Sequence, residues 1–242
     1  MRLKIGLNLT KNYSINFNEV KRLKKSIKFI IIHFTGMKSE SEAIDKLCDS
    51  TSKVSAHYFI KNNGSLLQMV PDLYEAWHAG KSSWKNFKSL NKNSIGIEIN
   101  NPGHDHGYKN FKNSQIKTLK KILKYLITKY RINSENVLGH SDIAPNRKKD
   151  PGEKFPWREL SKNRLCIWHK LNEKKLMSLR NQKITLKEED LFIKNLHKIG
   201  YSRKRKSRYF IIKAFQRRFR QNLINGKIDE ECFLISKNII KS

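Results

Sequence analysis

Lys28-Phe29-Ile30-Ile31-Ile32-His33-Phe34-Thr35 is a short run of β-branched and aromatic residues stopped by Thr35-Gly36. It reads as a buried strand with a histidine near its end. A second stretch, Ser94-Ile95-Gly96-Ile97-Glu98-Ile99, has isoleucines alternating with Gly96 and Glu98. Its carboxylate is therefore expected on the face opposite the apolar row. Between these two, His57-Tyr58-Phe59-Ile60 and Ser65-Leu66-Leu67-Gln68-Met69-Val70 flank Asn62-Asn63-Gly64. Asn and Gly accept positive φ, so the segment predicts a hairpin.

A short helix is expected around Ser41 to Cys48, and a longer one N-capped by Ser114. The longer one carries Ile116, Leu119, Ile122, Leu123, Leu126, Ile127 and Tyr130 as a stripe of 3.6-residue period, with lysines opposite. Glu135-Asn136-Val137-Leu138-Gly139-His140 then reads as a short strand delivering His140 at its end. Strands alternating with helices, plus one hairpin, give an α/β class: a mixed central β-sheet flanked by helices. After Trp168 the chain turns polar, and three helix-length patterns follow: Leu186 to Ile199, Ser207 to Arg220, and Asp229 to Ile240. Gly200-Tyr201 and Asn225-Gly226 separate them. The expected layout is a main α/β domain over 1–170, a linker over 171–184, and a small C-terminal three-helix bundle over 185–242.

At 242 residues and 38% hydrophobic, the chain can bury a core, which argues against global disorder. Its 51 basic against 21 acidic residues give a net charge of +30. Such a balance suits a polyanionic partner. A plainer explanation is equally open: lysine far exceeds arginine, the lysines are spread throughout, and Ile and Asn abound, as in an AT-rich coding sequence. Cys48, Cys166 and Cys232 lie far apart and form no CxxC pair, so they read as buried small hydrophobes in a reducing compartment. No apolar stretch approaches the ~20 residues of a membrane span. Met1 to Leu9 lacks the apolar core and cleavage site of a signal peptide. The expected location is cytoplasmic, the alternative being the periplasm by a non-standard route.

The chemistry gathers in Gly139-His140-Ser141-Asp142-Ile143-Ala144-Pro145-Asn146-Arg147-Lys148-Lys149-Asp150-Pro151-Gly152. Two neutral imidazoles, His33 and His140, with the carboxylate of Asp150 can bind a zinc ion and leave one position open. A bound zinc lowers the pKa of water from 15.7 to about 7. Each residue also has a bland reading: a strand-end histidine, and an Asp-Pro turn pair. Glu98 is either one more solvated carboxylate or, in an otherwise interior strand, a group that needs a partner or a job. Beside a metal it could take a proton from water. Lys148 is either one lysine among many or an ammonium facing a developing oxyanion.

Taken together, the motifs resemble the N-acetylmuramoyl-L-alanine amidase 2 family, zinc amidases related in fold to peptidoglycan recognition proteins. The matching segments run in family order over roughly residues 25 to 160. They are Ile31-Ile32-His33, Val54-Ser55-Ala56-His57-Tyr58, Ala76-Trp77-His78-Ala79-Gly80, Ile95-Gly96-Ile97-Glu98, Gly139 to Pro145, Arg147-Lys148 and Asp150-Pro151-Gly152. The resemblance implies one Zn²⁺ held by His33, His140 and Asp150, with Glu98 and Lys148 catalytic. It also implies His57, Trp77, His78 and Asn100 as substrate-binding residues. The substrate so implied is peptidoglycan or an anhydro-muropeptide, cut between (anhydro-)N-acetylmuramic acid and L-alanine, in cell-wall recycling or remodelling. Other branches place a tyrosine before the hairpin histidine and a cysteine as third ligand; Ala56 and Asp150 align this chain with the bacterial branch that relies on Glu98. The tail resembles the three-helix peptidoglycan-binding domain through Ala214-Phe215-Gln216-Arg217-Arg218-Phe219 and Asn225-Gly226-Lys227-Ile228-Asp229.

Two further readings compete. A non-catalytic peptidoglycan-binding protein would use the same fold, generally after losing a metal ligand, and here all three are present. Nucleic-acid binding is suggested by the charge and by Arg203-Lys204-Arg205-Lys206-Ser207-Arg208, against a solvated basic turn. No specific nucleic-acid partner is expected, and nothing in the sequence sets an oligomeric state.

Overall fold

The structure is a computed structural model and describes residues 2–3, 7–203 and 207–241. Lys204 to Lys206, in the basic run, lie outside the described residues.

Eleven strands are present among the described residues: β1 (Arg2–Leu3), β2 (Leu7–Lys11), β3 (Phe17–Asn18), β4 (Phe29–Phe34), β5 (Tyr58–Ile60), β6 (Leu66–Gln68), β7 (Glu75–Ala76), β8 (Ser83–Trp84), β9 (Phe87–Lys88), β10 (Ser94–Ile99) and β11 (Val137–Gly139). The helices are α1 (Glu40–Cys48), α2 (Asn113–Tyr130), α3 (His140–Ile143), α4 (Trp157–Lys162), α5 (Glu173–Ser178), α6 (Leu186–Ile199), α7 (Arg208–Phe219) and α8 (Glu230–Ile239). Seven strands form one mixed sheet in the order β1-β2-β6-β5-β10-β4-β11. The β5-β6 hairpin is antiparallel, whereas β5, β10, β4 and β11 run parallel. The expected mixed α/β class is therefore what the chain adopts.

Strand β4 shows why a continuous apolar run marks a central strand. Ile30 and Ile32 join Ile95, Ile97, Ile99 and the inner stripe of α2 in one apolar cluster. Phe29 and Ile31 point the other way, into a second cluster built with Leu138, Ile143 and the tail residues Phe192, Leu196, Phe215 and Phe219. His33 shares the parity of Phe29 and Ile31. It therefore lies on the face away from α2, and Glu98, opposite the isoleucines of β10, pairs with it in register.

Local readings need several corrections. Ser114 is not the N-cap of α2: its hydroxyl bonds the Asn62 carbonyl of the hairpin. The helix starts two residues earlier, at Asn113 behind Lys112, whose N–H is accepted by the Gln115 side chain. The strand before His140 is only three residues long, because Ser134–Asn136 forms a 3-10 turn, and His140 itself opens α3. Strands β1, β2 and β3 and the pairs β3-β7 and β8-β9 carry no clear sequence signal, since each is five residues or fewer. The segment 171–184 contains α5, with Leu176 buried. Among the described residues no helix is long and apolar enough to cross a membrane.

Candidate active site and metal centre

Three adjacent parallel strands end at the same level. Register pairs Glu98 of β10 with His33 of β4, and Gly139 of β11 with Ile32, which brings His140 alongside His33. Carboxyl ends of parallel strands commonly hold the site in open α/β sheets. The loop after α3 returns Asp150 to the same point, tied by the Ser141 N–H to the Asp150 carbonyl at 2.8 Å. Gly139 is required there, since a Cβ would come within 2.7 Å of Pro151 Cδ.

The donor atoms converge as a near-equilateral triangle. His33 Nδ1 lies 2.9 Å from His140 Nδ1 and 3.0 Å from Asp150 Oδ2, and His140 Nδ1 lies 3.1 Å from that oxygen. All three residues are buried. Two imidazole nitrogens facing each other and one carboxylate cannot all be satisfied by one proton, but a cation satisfies all three. Burial, with the neighbouring His140, lowers the His33 pKa to about 4 and keeps the ring neutral, as ligation requires. Burial alone would raise Asp150, yet His140 and His33 hold it well below the usual carboxylate range. The set is an N₂O donor group of two imidazoles and one carboxylate, suited to a divalent metal ion.

The outer ring nitrogens fix which lone pairs face inward. Ser94 Oγ donates to the Leu90 carbonyl at 2.5 Å, so toward His78 Nε2, 3.2 Å away, it can only accept. His78 Nε2 thus carries the proton and His78 Nδ1 accepts, at 3.1 Å, from His33 Nε2–H. That leaves His33 Nδ1 unprotonated and aimed into the triangle. His140 Nε2 donates to the Ala79 carbonyl at 3.2 Å, which turns His140 Nδ1 toward the triangle. Bonds of this kind orient metal-binding histidines generally. His78 packs so closely on β10 that a Cβ at Gly96 would meet its ring at 2.4 Å.

A cleft of about 480 Å³ opens over the triangle, lined by Glu98, Lys148, Trp77, Lys46, Arg147 and His104 among others. Glu98 Oε2 is out of solvent with no hydrogen-bond partner. Burial, reinforced by Asp150, raises the Glu98 carboxyl to about 8. Lys148 lines the same cleft.

Of the nine residues expected at the site, His33, Glu98, His140, Lys148, Asp150, Trp77 and His78 are brought together. His57 and Asn100 are not in the cleft. His57 is fully buried, its Nδ1 accepting from Gly96 N–H and its Nε2 lying against Arg22 and the Tyr74 carbonyl. Burial and the Arg22 guanidinium lower its pKa to about 3. Asn100 instead ties strand ends together, accepting from Thr35 Oγ1 at 3.3 Å and from Gln115 Nε2 through its carbonyl at 2.8 Å. The pattern of residues gave no sign of Ser94 or of the Ala79 carbonyl. Their roles exist only once β10 and the Trp77-His78-Ala79 loop are packed together.

The N-acetylmuramoyl-L-alanine amidase family model (Amidase_2) matches residues 23–153. The chain belongs to that family. It is 34% identical over 232 residues to the N-acetylmuramoyl-L-alanine amidase AmiD of Escherichia coli K12, spanning 89% of this chain and 83% of AmiD. The structure of E. coli AmiD in complex with anhydro-N-acetylmuramic acid-L-Ala-D-γ-Glu-L-Lys superposes with a TM-score of 0.77 at 31% identity, covering 93% of this chain and 91% of that one. AmpDH3 of Pseudomonas aeruginosa gives a TM-score of 0.78 at 27% identity, covering 95% and 98%. The 1,6-anhydro-N-acetylmuramyl-L-alanine amidase AmpD of Citrobacter freundii is 41% identical over 105 residues, 43% of this chain and 54% of AmpD. The solved AmiD and AmpDH3 structures share the overall fold of this chain.

Proposed function

We propose that this amidase hydrolyses the amide between the lactyl group of anhydro-N-acetylmuramic acid and L-alanine of the stem peptide, with one zinc ion held by His33, His140 and Asp150. The observation that carries the reading is the buried Nδ1/Nδ1/Oδ2 triangle, its edges 2.9–3.1 Å, beneath a cleft that also presents Glu98 and Lys148. The anhydro form of the sugar is favoured by the relatives, since AmiD and AmpDH3 have been solved with anhydro-muramyl peptides.

Zinc, when bound, supplies a Lewis acid that acidifies water and polarises a carbonyl. Glu98, carrying no competing hydrogen bond on Oε2, takes the proton of the attacking water and returns it to the leaving amine of L-alanine. A carboxyl raised toward neutrality suits both directions of that transfer. Lys148 places its ammonium beside the carbonyl oxygen as negative charge develops there, where a fixed cation in a partly dry cleft is most effective. Trp77 presents an indole at the cleft wall, its Nε1–H held by Asn18 Oδ1 at 3.0 Å, as a surface for the sugar or peptide. In the same reading, residues 185–242 form a three-helix domain of the peptidoglycan-binding kind, joined through 171–184.

Hydrolysis of anhydro-muramyl-tripeptide by the zinc-loaded protein tests the roles. Glu98→Gln and Lys148→Met are expected to keep stoichiometric zinc while kcat falls by about 10²-fold or more. His140→Ala is expected to lose both zinc and activity. Wild-type turnover in Glu98→Gln overturns the assignment of the proton carrier.

A further inference from the structure

One ion pair joins the C-terminal helices to the backbone that carries His140. Asp142 lies two residues beyond that ligand in α3. Its Oδ2 accepts from the Gly139 N–H at 2.8 Å, immediately before His140, and from Arg218 Nη1 at 2.6 Å. Its Oδ1 accepts from the Tyr201 hydroxyl at 2.7 Å. The same guanidinium reaches back with Nη2 to the Val137 carbonyl of β11 at 3.0 Å. Arg218 thus bonds the chain on both sides of His140, at 137 and 142, while stacking 4.3 Å over the Trp157 ring.

Asp142, Arg218 and Tyr201 are each 2% exposed. Charges so fully removed from water persist only where geometry compensates them. Here the compensation consists of a carboxylate that receives three donors and a guanidinium that serves two acceptors. Tyr201 is held in turn by Trp84, with ring centroids 4.8 Å apart. Helix α3 is only one turn long. The Ser141 N–H bond to the Asp150 carbonyl couples the same turn to the third ligand.

We infer that Arg218 and Tyr201, contributed by the C-terminal segment, are positioning residues of the active site: through Asp142 they set the strand-to-helix junction that aims His140 at the metal. The tail is then part of the catalytic apparatus, whatever else it binds. This inference rests on the zinc reading given above. Removing one tether loosens the ligand triangle, so zinc dissociates more readily and kcat falls, while KM, set by the cleft walls, holds.

Zinc affinity by chelator competition, with kcat and KM on anhydro-muramyl-tripeptide, tests it on the full chain. Tyr201→Phe removes one oxygen and keeps the ring. Arg218→Met removes the charge, and Glu231→Gln breaks a buried ion pair with Arg180 and Arg220 inside the tail but away from α3. Tyr201→Phe is expected to weaken zinc binding about tenfold, the low end of the effect of outer tethers at metal sites, with lowered kcat and unchanged KM. Arg218→Met is expected to exceed it, and Glu231→Gln to bind zinc as the wild type does. Wild-type zinc affinity in a folded Tyr201→Phe protein overturns the inference. So does an equal loss in Glu231→Gln, which would mark general destabilisation of the tail. If Arg218→Met does not fold, Tyr201→Phe alone decides. A wild-type protein that binds no zinc defeats the zinc reading itself, a different outcome from wild-type affinity in the variants.

Discussion

Asp72 is a buried carboxylate and Glu98 a half-buried one in the cleft, and their surroundings treat them in opposite ways. Glu98 keeps an oxygen free of donors beside the His33-His140-Asp150 triangle, as its proposed role of proton carrier requires. Asp72 is fully engaged: Tyr58, Tyr130 and Lys129 donate to it at 2.6, 2.7 and 2.7 Å. Burial alone would raise the Asp72 pKa, but Lys129 and the two hydroxyls outweigh it and the net shift is downward. A carboxyl depressed in the folded state contributes stability above its unfolded pKa of about 3.9, and that contribution disappears as pH falls through the folded value. Denaturant unfolding at a series of pH values is expected to show stability declining below about pH 4. Asp72→Asn should be less stable at neutral pH by about 1–3 kcal/mol and flatter in that acid range. An unaltered acid profile in the variant contradicts this. At this scale the sequence was informative wherever a residue's task follows from its own strand: parity alone set Glu98 opposite the isoleucines. It was silent on Ser94, Asp142 and Tyr201, whose tasks depend on partners 16, 76 and 59 residues away.

Strand β10 serves as both core and active-site floor. Its isoleucines pack under α2, while Ser94, Gly96 and Glu98 form the opposite row that meets His78 and His33. Gly96 is what allows the His78 ring to lie on the strand. Gly96→Ala forces a Cβ into that ring, and overpacking of this kind costs about 1–3 kcal/mol. The variant is expected to melt lower and, through the displaced His78, to bind zinc more weakly; calorimetry and metal competition read the two effects. An alanine variant with wild-type zinc affinity would show that His78 is not held by this close approach. The central strands, the hairpin and the tail helices were legible because their patterns are long or strongly alternating. The N-terminal strands and the cap of α2 were not, since two- to five-residue strands and a cap chosen by competition from the hairpin leave no periodic trace.

Across the whole molecule, the two faces of one sheet divide the labour. One face packs on α2. The other spans from β4 and β11 to the tail helices in a continuous apolar cluster, and the His33-His140-Asp150 triangle sits at its strand-end margin. Ordered family motifs made the catalytic half readable from sequence, because each strand end carries its own chemistry. The connection of the tail to that chemistry was hidden, since Arg218 looks like one basic residue among 51 Lys and Arg. His33, His140 and Asp150 are proposed to hold a zinc ion required for amide cleavage. Mass spectrometry of products from anhydro-muramyl-tripeptide tests it most directly, using protein as purified, protein stripped by chelator, and stripped protein reloaded with one equivalent of zinc. The expected result is anhydro-N-acetylmuramic acid and free tripeptide from the first and third samples and intact substrate from the second. Equal cleavage by the stripped protein, or products from any other bond, would contradict it.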